Sequence, residues 1–263
     1  MAPHELACKI IDPRAGAGHT HTVIFLHGRG STASAFQHGI HITTDSQGRA
    51  LPELFPSVRW VLPQSERRPL ARYPRGEMLQ WFDTWNIKNL TDREELQLPG
   101  LRESVDSIRA IVEAEARLVG GDLSRILLAG VSQGGAVAAH TLINLNIGQQ
   151  RLGGLMTFCS RMPFPERSIA ETRKLLGLED VPADDHAVLN TPILWQHCVD
   201  DPLVKIEYGR QLRDTFLAFG AQVDWKEYPE GGHWIQTPEG IEHAAAWLKE
   251  HVIKEAGPEP KAK

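Results

Sequence analysis

A serine set between glycines, Gly130-Val131-Ser132-Gln133-Gly134, has the pattern G-x-S-x-G. Before it, Arg125 to Ala129 is a short apolar run of buried-strand type. After it, from Gln133, small apolar residues open a tightly packed helix. A strand that turns into a helix within a few residues strains the serine backbone and leaves no room for neighbouring β-carbons, hence the glycines. Ser132 Oγ then projects above the sheet edge. It faces the positive end of the helix and its free N–H groups, that of Gln133 among them, which suits attack on an acyl carbon and capture of the oxyanion. The competing interpretation is a turn serine that caps a helix; a strand before it and a helix after it argue against that.

A serine alone is a poor nucleophile and needs a histidine base with a carboxylate to orient it. Where the serine sits between strand and helix, the expected chain order is Ser, then Asp or Glu, then His, in loops after late strands. His233, in Pro229-Glu230-Gly231-Gly232-His233, follows a strand ending at Tyr228 and precedes the last helix. His27, His140, His186 and His243 fall beside strands or inside helices, where surface or capping roles are expected. Asp201, just after the strand Pro192 to His197, has the right place for the acid. Its neighbour Asp200 cannot be separated from it by composition and takes a capping or supporting role if Asp201 is the acid.

The elements that must position these groups alternate. Lys9 to Asp12 reads as an edge strand and Thr22 to Leu26 as the first buried one. The latter runs into His27-Gly28-Arg29-Gly30, with Ser31 as N-cap of a helix to about Ile40. Glycines between a strand and a helix N-terminus make an anion site. Val58 to Leu62 is a strand. Gln64 to Asn89 reads as a long irregular loop, with Arg67, Arg68, Arg72 and Arg75 expected on the surface and Trp81-Phe82-Asp83-Thr84-Trp85 expected against a pocket. Helical spacing runs from Pro99 to Val119, and Leu155 to Cys159 is a further strand. Pro163 to Asn190 then breaks the rhythm, with a short helix at Ile169 to Leu176, and reads as a lid-like insertion over the site. Val204 to Phe219 and Pro238 to Ile253 are helices, with a strand at Val223 to Tyr228 between them. The alternation predicts an α/β fold: a mostly parallel sheet with helices on both faces.

With 263 residues, 41% hydrophobic and 23% charged, the chain suits one domain over residues 1–255, followed by a flexible tail at 256–263. A formal net charge of -5 and the lack of a long basic block set nucleic acid aside. Cys8, Cys159 and Cys198 are scattered, with no metal-type spacing, and fit reduced thiols in the cytoplasm. No signal peptide and no apolar run of membrane-spanning length is visible. Composition says nothing about oligomeric state.

The chain resembles the phospholipase/carboxylesterase family of α/β-hydrolases that includes the acyl-protein thioesterases. The resemblance is carried by His27-Gly28-Arg29-Gly30, Trp81-Phe82-Asp83, Gly130-Val131-Ser132-Gln133-Gly134-Gly135, Asp201-Pro202-Leu203-Val204 and Gly232-His233. It implies a Ser132-Asp201-His233 hydrolase without metal or cofactor, acting on small-molecule or acyl-protein esters and thioesters. It further implies backbone N–H groups of Arg29 and Gln133 in the oxyanion hole and Trp81 and Phe82 near the acyl pocket; Met162-Pro163-Phe164 is a further candidate for that wall. Two features depart from the family pattern: Cys198 stands where glycine is usual after the histidine of a His-Gly-x-x-Asp-Pro block, and Pro163 to Asn190 is long. A long cover that excludes water would suit an acyltransferase or lactone-forming cyclase using the same residues. A binding protein on a hydrolase scaffold, and a lipase anchored through Cys8, are the remaining alternatives.

Overall fold

The computed structural model describes residues 5–253; the expected tail at 256–263 lies outside them. Strands β1 (Cys8–Ile11) and β2 (His21–Leu26) lead into helices α1 (Ala33–Ile42) and α2 (Leu51–Leu54). Then come β3 (Val58–Pro63), β4 (Arg67–Leu70), β5 (Tyr73–Leu79) and the long helix α3 (Leu98–Leu118). The second half runs β6 (Ile126–Val131), α4 (Gln133–Ile143), β7 (Gly154–Phe158), α5 (Ile169–Leu176), α6 (His186–Asn190), β8 (Ile193–Cys198), α7 (Ile206–Ala218), β9 (Val223–Tyr228) and α8 (Glu239–His251).

The seven-stranded sheet has the order β1-β3-β2-β6-β7-β8-β9. From β3 to β9 every pairing is parallel; β1 alone runs antiparallel, on the edge. Period-two alternation sorts each central strand between two cores. Ile24, Leu26, Ile126 and Leu128 face α3 and α4, whereas Val23, Phe25, Leu127 and Ala129 face the side built from Phe36, Leu51 and Trp247. Helix α4 is buried along its whole length, as expected of a helix made almost entirely of small apolar residues.

Three local expectations need correction. The N-cap of α1 is Thr32, not Ser31: its Oγ1 accepts from Ala35 N–H at 3.0 Å. Residues 64–89 are not one irregular loop, because they contain the antiparallel hairpin β4–β5. Its prolines and arginines conceal it because the hairpin stands apart from the main sheet and buries little. His27 and His140 are fully buried rather than superficial. Ser65 N–H donates to His27 Nε2 at 3.1 Å, and His140 Nε2 lies 3.1 Å from the Pro163 carbonyl. Burial lowers the His27 pKa and pulls that of His140 down to about 4, so both rings are neutral structural groups.

Candidate active site

Ser132 stands between β6 and α4 with φ 56° and ψ −122°, a conformation strained for any residue but glycine. The flanking glycines are required by close approach. A β-carbon on Gly130 would come within 2.4 Å of the Gly134 carbonyl carbon, and one on Gly134 within 2.4 Å of the Leu26 carbonyl oxygen. The elbow is further tied down by Ser132 N–H to the Phe158 carbonyl at 2.9 Å and by Ser160 Oγ to the Ser132 carbonyl at 2.8 Å.

His233 Nδ1 lies 2.7 Å from Asp201 Oδ2, and the carboxylate is almost wholly buried. Its other oxygen accepts from Leu203 N–H at 2.8 Å and Val204 N–H at 2.9 Å. Burial by itself raises the Asp201 pKa, but hydrogen bonds from His197 and His233 and the backbone outweigh it and hold the group well below the usual carboxylate range. Asp200 points elsewhere. Exposed, it accepts from Gly231 N–H at 3.3 Å and Gly232 N–H at 2.8 Å, so it braces the loop that carries His233.

Ser132 and His233 line one cavity of about 390 Å³ with Gly28, Arg29 and Gln133. Arg29 N–H has no hydrogen-bond partner among the described residues, and Gln133 N–H, at the first position of α4, has none within its helix. The Gln133 side chain has a separate task. Its Oε1 accepts from Trp81 N–H at 2.8 Å and its Nε2 donates to the Phe82 carbonyl at 2.6 Å, stapling residues 81–82 to the elbow.

Phe82 lines the cavity, but Trp81 does not. Trp81 is buried behind it, because its indole N–H needs a partner and finds the His27 carbonyl at 2.7 Å. Met162, Pro163 and Phe164 are likewise absent from the wall; Met162 and Phe164 belong to the core. No residue of 163–190 lines the cavity either. Ile169, Leu176, Ala187 and Val188 of that segment join the core against α3 and α4, and Arg173 Nε bonds the Ile143 carbonyl at 2.9 Å. The water-excluding cover that would favour a transferase is therefore not supplied by this segment. Apolar wall comes instead from Phe36, Met78, Ile87, Leu90, Leu203 and Trp234.

Sequence reasoning passed over His197 and Arg161. His197 is buried, with Nε2 2.7 Å from the Val204 carbonyl and 3.4 Å from Asp201 Oδ2, the same oxygen that meets His233, so it backs the carboxylate. The signal was its place at the head of the block ending in Asp201. Cys159, His197 and Asp201 offer donor atoms within 4.8 Å of one another. Each is already engaged: His197 and Asp201 as above, and Cys159 Sγ with the Trp234 carbonyl at 3.3 Å. Cys198, the departure from glycine, packs with Cys159 and Tyr228 beneath the His233 loop.

A serine lifted from the end of a central parallel strand, with its partners in loops after later strands, is the arrangement of an α/β-hydrolase. The chain belongs to the phospholipase/carboxylesterase family, whose model matches residues 8–252. It is a hydrolase acting on ester bonds. Acyl-protein thioesterase 1 of Cryptococcus neoformans var. neoformans serotype D is 27% identical over 247 residues, covering 88% of this chain and 92% of that protein. A probable carboxylesterase SOBER1-like of Arabidopsis thaliana is 28% identical over 231 residues, covering 88% and 78%. Among solved structures, Arabidopsis thaliana SOBER1 matches with a TM-score of 0.67 at 22% identity, covering 88% of this chain and 99% of that one. Zea mays acyl-protein thioesterase 2 gives 0.66 at 20%, covering 93% and 98%.

Proposed function

We propose that the chain is a serine hydrolase that cleaves acyl esters or thioesters through an acyl-enzyme on Ser132. The observation that carries this is the 2.7 Å contact between His233 and Asp201, at the rim of a cavity that also holds the strained Ser132. His233 Nε2 takes the Ser132 proton as Oγ attacks the acyl carbon. Asp201 fixes the tautomer with the proton on Nδ1 and stabilises the imidazolium. The tetrahedral oxyanion accepts from the backbone N–H groups of Arg29 and Gln133, and the same end of α4 adds its dipole. Collapse expels the alcohol or thiol, which receives the proton from His233. Water activated by His233 then releases the acid.

The cavity, walled by Phe82 and aliphatic side chains, suits the acyl part of a small ester or of an acylated protein. Among the described residues no helix is long and apolar enough to cross a membrane, and Cys8, Cys159 and Cys198 are unpaired. The unpaired thiols suit a reducing compartment, and the location we propose is the cytoplasm.

The test is turnover of 4-nitrophenyl esters and matched thioesters of increasing acyl length by wild type and Ser132→Ala. Wild-type activity on at least one series, falling on the order of 10⁶-fold in the mutant, is expected. A mutant as active as wild type would place the chemistry elsewhere.

A further inference from the structure

The cavity around Ser132 carries two guanidinium groups, Arg29 and Arg161, and among the described residues no carboxylate lines it. The two differ in how well they are paired. Arg29 Nε donates to Gln80 Oε1 at 2.8 Å, and Arg29 stands 4.0 Å from Asp83. Arg161 is 6% exposed, and among the described residues its guanidinium makes a single hydrogen bond, from Nη2 to Gln97 Oε1 at 2.6 Å. Among the described residues its one carboxylate neighbour within reach, Glu94, is 3.9 Å away, and that side chain already accepts from Phe164 N–H at 2.7 Å.

A guanidinium has five N–H donors, and burying a cation with most of them unused is costly unless something pairs with it. Burial lowers the Arg161 pKa only to about 10, so the group keeps its charge at neutral pH. Its remaining donors adjoin the catalytic cavity, with Cζ 5.6 Å from the centre of the Phe82 ring, itself part of the wall. Its chain neighbour Ser160 holds the Ser132 carbonyl, which keeps Arg161 close to the reacting centre. A carboxylate accepts from such a fork in bidentate fashion, and a neutral alkyl chain offers it nothing.

We propose that Arg161 is a specificity-determining residue that binds a carboxylate carried by the substrate, so that the preferred substrates are esters or thioesters bearing a free acid group. This rests on Ser132 being the nucleophile. The carboxylate can sit on the acyl chain, as in a half-ester of a dicarboxylic acid, or on the leaving group.

The experiment compares paired substrates differing only in that charge. One arm uses the 4-nitrophenyl ester of adipic acid with its second carboxyl free or methylated. The other uses hexanoate esters of 4-hydroxybenzoic acid and of its methyl ester. Wild type, Arg161→Met and Arg161→Lys are assayed on each pair, and the readout is the ratio of kcat/KM for free acid over methyl ester. The ratio cancels partial loss of folded enzyme.

In one arm the wild-type ratio is expected to be about tenfold or more above that of Arg161→Met, through KM, with Arg161→Lys restoring part of it. The arm that responds tells which side of the ester carries the acid. Equal ratios for wild type and Arg161→Met in both arms overturn the proposal, as does a uniform loss on acid and methyl ester alike, which marks a structural arginine. Calorimetric binding of the same pairs to Ser132→Ala, with and without Arg161→Met, reads the preference without turnover. If no ester is cleaved, a charge preference lost with Arg161 still upholds the carboxylate site while the hydrolase reading fails, and equal binding of both members overturns the site.

Discussion

Around Ser132 the backbone is held mainly by contact, with two hydrogen bonds added; around His233 it is held mainly by hydrogen bonds. On the first side the main chains of Gly130, Gly134 and Leu26 press together with no space for a methyl group, and the serine keeps φ 56° because its surroundings forbid relaxation. On the second side Asp201 gathers His233, His197 and two backbone N–H groups, and Asp200 ties down Gly231 and Gly232. Steric fixation fails abruptly when atoms are added. Hydrogen-bonded fixation fails by degrees as partners are removed, so the two halves of one site should answer mutation differently.

On the hydrogen-bonded side the largest effect is at the acid. Asp201→Asn is expected to lower kcat about 10⁴-fold, because an amide stabilises the wrong His233 tautomer while keeping an acceptor for Leu203 and Val204. A fall of less than about 100-fold would show that another carboxylate orients the base. The same substitution also tests acid stability. The folded Asp201 pKa lies below its ordinary 3.8. Its contribution is thus complete above the unfolded value and is lost as pH falls through the lower folded value. Asp201→Asn should flatten the fall of Tm below about pH 4.

On the contact side, Gly134→Ala places a β-carbon 2.4 Å from the Leu26 carbonyl oxygen and 2.6 Å from that of His27, both backbone atoms that cannot swing away. A loss of roughly 3 kcal/mol or more in urea unfolding is expected. Tolerance within about 1 kcal/mol would mean that the elbow yields. Ser132→Gly tests the same side with the opposite sign. Removing the β-carbon at φ 56° should raise stability by about 1 kcal/mol while abolishing turnover, whereas Ser132→Ala, equally strained, should not gain it.

The contact side was legible in the sequence because sterics leave a compositional trace: glycines at fixed offsets between an apolar run and a small-residue helix. The α/β architecture was legible for the same reason, since buried parallel strands such as β2 and β6 are continuous apolar runs, and the half-exposed edge strand β9 begins and ends where its alternation put it. What escaped was set by partners distant in the chain. The Arg-rich hairpin β4–β5 has no alternation to reveal it. The acidic, proline-containing segment 163–190 looks like a cover, yet six apolar side chains commit it to the core. Trp81 and Phe82 are adjacent letters that face different ways, and only the His27 carbonyl and the Gln133 amide decide which of them lines the cavity. Arg161 was passed over because nothing in its local sequence marks it; its place is set by Gln97, from a segment 64 residues away.

The smallest effect distinguishes bracing from chemistry. Asp200 is exposed and touches neither His233 nor Ser132 by a hydrogen bond, so it acts only by holding Gly231 and Gly232, whose φ angles of 143° and 63° make this a loop with little intrinsic preference for one shape. Asp200→Ala removes both acceptors from N–H groups that water can reach. The stability cost should therefore be no more than about 1 kcal/mol. What it loosens is the aim of the imidazole, so kcat should fall several-fold with KM little changed, and Asp200→Asn, which retains a carbonyl acceptor, should recover most of it. A loss as deep as that of Asp201→Asn would mean that the two aspartates share the acid's task and that the loop side of the site is more tightly coupled than its hydrogen bonds imply.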